Sequence, residues 1–122
     1  MRPRIIALDA NHKVWNLVGR AVQNLPDYKV EGCLFIKDVN DRLVDDCRLD
    51  IRLIIIGDVT DPEKPEVRKW ARELYMQGYT LVWLSKTPPP LAEIRYVVKT
   101  EPIDQALEDT LKMWILRALF VK

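Results

Sequence analysis

Residues 53–62 read LIIIGDVTDP, and this stretch decides the fold. Leu53 to Ile56 is an unbroken aliphatic run closed by Gly57 and Asp58. A run that is apolar at every position, not at alternate ones, marks a strand covered on both faces. Such strands belong to parallel sheets with helices on either side, so the flanking segments should alternate between helix and strand.

The flanking segments follow that pattern. Arg4 to Leu8 (RIIAL) is another short apolar run. His12 to Leu25 then places Val14, Leu17, Val18, Ala21, Val22 and Leu25 on one helical face, with Asn11 as cap and Pro26-Asp27 as the end. Tyr28 to Leu34 (YKVEGCL) reads as a strand, and Asn40 to Cys47 as a weaker helix with Val39, Leu43 and Cys47 in register. Downstream of the opening stretch, Glu66 to Met76 carries Val67, Trp70, Ala71, Leu74 and Tyr75 on one stripe and stops at Gln77-Gly78. Thr80 to Leu84 (TLVWL) and Arg95 to Val98 (RYVV) are the fourth and fifth strands, and a last helix runs from about Ile103 to Phe120.

A parallel crossover needs about a dozen residues. Only ten, Ser85 to Ile94, join the last two strands, and Pro88, Pro89 and Pro90 are among them. The fourth helix is therefore expected to be a single turn near Leu91 to Ile94, or missing. The predicted fold is α/β: a doubly wound, five-stranded parallel sheet in the order 2-1-3-4-5, built as a single domain over residues 1–122.

Nineteen basic and eighteen acidic side chains leave a net charge of +1. That balance holds no electrostatic footprint for nucleic acid or an anionic membrane, and Arg2, Arg4, Lys64 and Arg68 read as solvated charges. No apolar run is long enough for a signal peptide or a membrane span, so a cytoplasmic location without membrane contact is expected. Cys33 and Cys47 fit no zinc or thioredoxin spacing and read as reduced interior thiols. His12, the only histidine, is expected on the surface. Trp15 and Trp83 read as core or rim aromatics. Gly19, Gly32, Gly57 and Gly78 never cluster, which argues against a glycine-rich phosphate-binding turn.

In open α/β sheets, ligands bind beyond the carboxyl ends of the strands. The residues placed there are Asp9, Asp58, Ser85 with Lys86, and Lys99 to Pro102. Two carboxylates, a hydroxyl and a lysine together could hold a divalent cation and a phosphoryl group. The acidic loop with Asp58, Asp61 and Glu63 adds a metal-dependent nuclease or phosphatase as a minor alternative.

Taken in order, these residues make the chain resemble the receiver domains of two-component response regulators. IIALDA puts Asp9 at the first of the acids that follow that family's first strand. LIIIGDVTDP puts Asp58 at its phosphoacceptor and Pro62 four residues later. LVWLSK supplies Ser85, and YVVKTEPID offers Lys99 and Pro102 for its Lys-Pro pair. The resemblance implies that Asp58 accepts a phosphoryl group from a histidine kinase. It also implies that Asp9 and Asp58 bind Mg²⁺, and that Ser85 and a lysine engage the phosphate. Three positions depart from the pattern: Ala10 replaces a second acid, Lys86 replaces a small residue, and Glu101 falls where the lysine before Pro102 would be. Lys99 is then the candidate cation, with Lys86 as its substitute.

The last helix completes the functional reading. Ile103, Leu107, Leu111, Trp114 and Ala118 form a line that should face the sheet, while Met113, Ile115, Leu116 and Phe120 lie outside it. A surplus apolar face of this kind predicts a partner, most simply a second copy through Met113, Leu116 and Phe120. The leading expectation is a stand-alone, atypical receiver-like signalling domain that works through protein contacts with a histidine kinase or an effector. It is more a module than an enzyme. The alternative is a small metal-assisted phosphoryl-transfer enzyme or ligand binder on a flavodoxin-like sheet, using Asp9, Asp58 and Ser85.

Overall fold

A computed structural model describes residues 3–45 and 50–120. Five parallel strands, β1 (Arg4–Leu8), β2 (Lys29–Cys33), β3 (Ile51–Ile56), β4 (Leu81–Ser85) and β5 (Arg95–Val98), form one sheet in the order β2-β1-β3-β4-β5, as expected. The helices are α1 (His12–Ala21), α2 (Ile36–Val44), α3 (Lys64–Met76) and α4 (Gln105–Phe120), with a short 3₁₀ turn at Asp61–Glu63 leading into α3.

The two-residue period of the strands divides the core into two layers. Ile5 and Ala7 of β1, Leu53 and Ile55 of β3, and Val82 and Leu84 of β4 pack with α1 and α4. Their alternates Ile6, Leu8, Ile54, Ile56, Leu81 and Trp83 pack with α2 and α3. This is why LIII is apolar at every position: each side chain enters one of the two layers.

Local chemistry sets the start of α1 and the end of α3. Asn11 caps α1 by accepting the Lys13 N–H at 2.9 Å. Gly78 ends α3 with φ +96°, a conformation suited to glycine. α1 stops at Ala21, shorter than expected, but Val22 and Leu25 still pack on the core. α2 begins at Ile36, four residues before the predicted start. Its first turn is held by the Asp38 carboxylate, which accepts the Phe35 N–H at 3.1 Å, and by Glu63, which accepts the Ile36 N–H at 2.9 Å. The predicted end of this helix at Cys47 lies outside the described residues. So do Arg2 and the reading of Cys47 as an interior thiol.

No helix forms between β4 and β5. The Ile94 N–H to Leu91 carbonyl bond closes a single turn there, at 3.2 Å. In α4 the buried residues are Leu107, Leu111 and Ile115, with Ile103, Trp114 and Ala118 packed around them. The expectation that Ile115 lies outside the sheet-facing line is therefore corrected. The spacing Leu107, Leu111, Ile115 follows one i, i+4 row, and that row is the one set into the sheet. Met113 and Phe120 are exposed, and Leu116 is half-buried. The Phe120 ring meets Tyr28 edge-on, with centroids 6.3 Å apart.

Candidate functional site

The carboxyl ends of β1, β3, β4 and β5 bring Asp9, Asp58, Ser85 and Lys99 together. Backbone hydrogen bonds extend past the strands and fix that convergence. The Gly57 N–H donates to the Leu8 carbonyl (2.7 Å), the Ala10 N–H to the Asp58 carbonyl (2.8 Å), and the Lys99 N–H to the Ser85 carbonyl (3.0 Å). Gly57 is needed for this approach. A Cβ there would lie 2.9 Å from the Asp9 Cγ and 3.0 Å from the Leu8 carbonyl oxygen.

Lys99 is the hub. Its ammonium donates to Asp9 Oδ2 at 3.0 Å and to Asp58 Oδ2 at 2.9 Å, and the residue is only 5% exposed. Burial works against the charged ammonium, but the hydrogen bonds and charges of Asp58 and Asp9 outweigh it and hold Lys99 above the ordinary lysine range. Asp9 is 1% exposed, and its two oxygens take three donors: the Asn11 N–H at 2.8 Å, the Asp58 N–H at 3.0 Å and Lys99. Burial raises its carboxyl above the usual range; the Asn11 N–H and Lys99 offset only part of that.

Asp58 differs in access. Its side chain is 48% exposed. The Ser85 hydroxyl donates to Asp58 Oδ1 at 3.2 Å. Ser85 gives its one proton to Asp58, so the Thr87 hydroxyl is the donor in the 3.2 Å contact between the two hydroxyls. The Thr87 carbonyl in turn accepts the Trp83 indole N–H at 2.8 Å. The result is an accessible carboxylate braced by a buried cation on one oxygen and a hydroxyl chain on the other.

The remaining candidates lie apart from this cluster. Lys86 faces Glu101, 3.9 Å away, and both are exposed, so Lys99 and not Lys86 supplies the buried cation. Asp61 pairs with Lys64 at 2.7 Å, and Glu63 is turned to α2. The acidic loop thus does not converge, and among the described residues no three Cys, His, Asp or Glu side chains are grouped as metal ligands would be. A Mg²⁺ ion wants near-octahedral oxygen coordination, commonly with one or two carboxylates. The buried Asp9 carboxylate already accepts three donors, Ala10 offers no side-chain oxygen, and Asp58 is the carboxylate that faces solvent. Toward a Mg²⁺ ion these residues present one accessible carboxylate, that of Asp58.

His12 is exposed, as expected, and Cys33 is buried and free, its thiol pushed up to about 11 by burial. Two readings of charge change. Arg4 is half-buried and pairs with Glu31 at 3.4 Å. Arg68 is not simply solvated: it donates to the Pro88 carbonyl at 2.6 Å and the Pro89 carbonyl at 3.4 Å, and lies 5.9 Å from the Trp83 ring centre. Thr87 and Arg68 were missed as members of the site region. The only local signal for Thr87 was a second hydroxyl two residues after Ser85.

No protein-family model matches the chain, and neither does any curated protein sequence. Solved structures do match. A response regulator from Thermotoga maritima superposes with a TM-score of 0.71 at 14% identity, covering 98% of both chains. The chemotaxis protein CheY4 of Vibrio cholerae gives 0.69 at 16%, covering 98% of this chain and 100% of its own. The receiver domain of the hybrid histidine kinase CckA gives 0.66 at 18%, covering 95% of this chain and 98% of its own. The chain has the fold of response-regulator receiver domains. Among the described residues no helix is long and apolar enough to cross a membrane.

Proposed function

We propose that the chain is a receiver-like signalling domain in which Asp58 accepts a phosphoryl group from the phosphohistidine of a kinase, and that its output is a protein contact. The observation that carries this reading is the Lys99 ammonium bridging buried Asp9 and exposed Asp58 at 3.0 and 2.9 Å. An acid needed only for packing has no reason to stay accessible while a buried cation holds it in place.

In the proposed step an Asp58 carboxylate oxygen attacks phosphorus, the P–N bond to the kinase imidazole breaks, and the imidazole leaves with a proton. Asp9 keeps Lys99 charged and oriented. Lys99 neutralises charge on the transferred group, and Ser85 turns its hydroxyl from Asp58 Oδ1 to a phosphoryl oxygen. Ser85 is tied to Thr87, and Thr87 to Trp83, so that turn would pull on the β4–β5 connection. Mg²⁺ recruitment is proposed to be weak, with Asp58 as its one free carboxylate.

The test is incubation with acetyl phosphate and Mg²⁺, followed by intact mass. The expected result is one phosphoryl adduct on the wild type and none on Asp58→Asn. An adduct that survives this substitution would refute Asp58 as acceptor, and no adduct on the wild type from acetyl phosphate or a kinase would refute phosphorylation itself.

We further propose that the domain self-associates through α4. Met113 and Leu116 lie in a shallow apolar surface flanked by Asp109, Lys112 and Arg117. A two-fold contact along this face would set Asp109 of each copy against the basic residues of the other.

A further inference from the structure

Next to Asp58 lies a cavity of about 300 Å³ that phosphoryl transfer does not require. Val59, Val67 and Trp83 are its buried lining, and Lys64, Arg68 and Lys86 its exposed lining. Three cations thus surround an apolar, partly aromatic hollow. The one carboxylate on its wall, Asp58, is already paired with Lys99.

The two lysines are weakly engaged. Lys64 and Asp61 are both well exposed, as are Lys86 and Glu101, whose contact is 3.9 Å. Pairs of that kind are readily exchanged for a better anion. Arg68 donates to two neutral carbonyls, and no carboxylate pairs with it among the described residues. A volume near 300 Å³ sits at the small end of ligand sites, enough for one ring and its substituent.

We propose that this cavity binds a small aromatic anion, a single ring bearing a phosphate or a carboxylate. The ring would rest on Val59, Val67 and Trp83, and the anionic group would be held by Lys64, Lys86 and the guanidinium of Arg68. Ser85, Thr87 and Arg68 line the cavity, and Arg68 holds the Pro88 carbonyl, so the ligand would act on the same connection as phosphate on Asp58. The site does not depend on Asp58 being phosphorylated.

Titrations of the full chain with phenyl phosphate, benzoate and phenol, followed by NMR of the assigned indole N–H groups, test the proposal. Phenyl phosphate or benzoate should shift the Trp83 indole saturably, with phenol much weaker; whichever anion binds tighter identifies the head group. The double variant Lys64→Ala, Lys86→Ala should bind about tenfold more weakly. Asp58→Asn removes the one carboxylate on the cavity wall and should tighten anion binding while abolishing phosphorylation, and weaker binding in that variant would also overturn the proposal. No saturable shift from either anion, an equal response to phenol, unchanged affinity in the lysine variant, or shifts confined to other tryptophans would each overturn it.

Discussion

Asp9 and Lys99 are buried as a pair, and their fates are linked. Removing the ammonium leaves the Asp9 carboxylate in the interior with only backbone donors. Breaking a buried pair in this way costs about 3–5 kcal/mol. Lys99→Met is therefore expected to lower unfolding free energy by that amount in urea, while Asp58→Asn, at a half-exposed position, should stay within about 1 kcal/mol. The pH dependence has a definite sign. Lys99 is held above 10.5, so its contribution is complete below that value and is lost as pH rises through the native midpoint. Urea midpoints should fall more steeply above pH 10.5 in the wild type than in Lys99→Met. Asp9 is raised above 3.8, so the native state takes up its proton more readily than the unfolded chain. Its contribution favours folding below 3.8 and is lost as pH climbs through the raised value. A ¹³C titration of the Asp9 carboxyl should give a midpoint above 3.8, and a higher one still in Lys99→Met.

The β4–β5 connection replaces a helix with a proline segment held by side chains. Arg68 reaches it from α3, and Trp83 and Thr87 anchor its start. Arg68→Ala should leave global stability within about 1 kcal/mol, because the bonds are exposed, yet speed amide exchange in the segment after Ser85. Unchanged exchange there would mean that the clamp is idle. This connection was legible in outline, since ten residues with three prolines cannot form a full crossover helix. The central strands β1, β3 and β4 were legible because burial on both faces makes them almost continuously apolar, whereas β2 and β5 at the sheet edges keep polar positions. The start of α2 was not: Phe35 is no polar cap, and the acceptor for the Ile36 N–H is Glu63, twenty-seven residues away. Asp9, Asp58 and Ser85 could be placed by strand ends alone. Lys99 could be placed there too, but its burial against Asp9 and the exposure of Lys86 were not legible, because both follow strands and only tertiary packing buries one.

The whole domain is a sheet with a helical layer on each face, and its α1/α4 side is where self-association is proposed. Reading α4 from its sequence put Ile115 with Met113 and Leu116, since its second half is apolar nearly all round. Packing separates them: Ile115 is 1% exposed and Met113 41%. Two substitutions should therefore fail in different ways. Ile115→Ala empties part of the sheet-facing layer and should cost about 2–4 kcal/mol in unfolding free energy. Met113→Lys should leave folding nearly untouched, because it adds a charge to a surface that already carries Lys112 and Arg117. If α4 is the contact between copies, however, it brings like charges together across the two-fold axis and should convert a dimer to a monomer in sedimentation velocity. A chain that sediments as a monomer at every concentration before any substitution would remove the dimer. A dimer unmoved by Met113→Lys and Leu116→Lys would move the contact to another face. Phe120 supplies a further control: its ring already leans on Tyr28, so Phe120→Ala should weaken both the tail of α4 and the association, whereas Met113→Lys should weaken only the second.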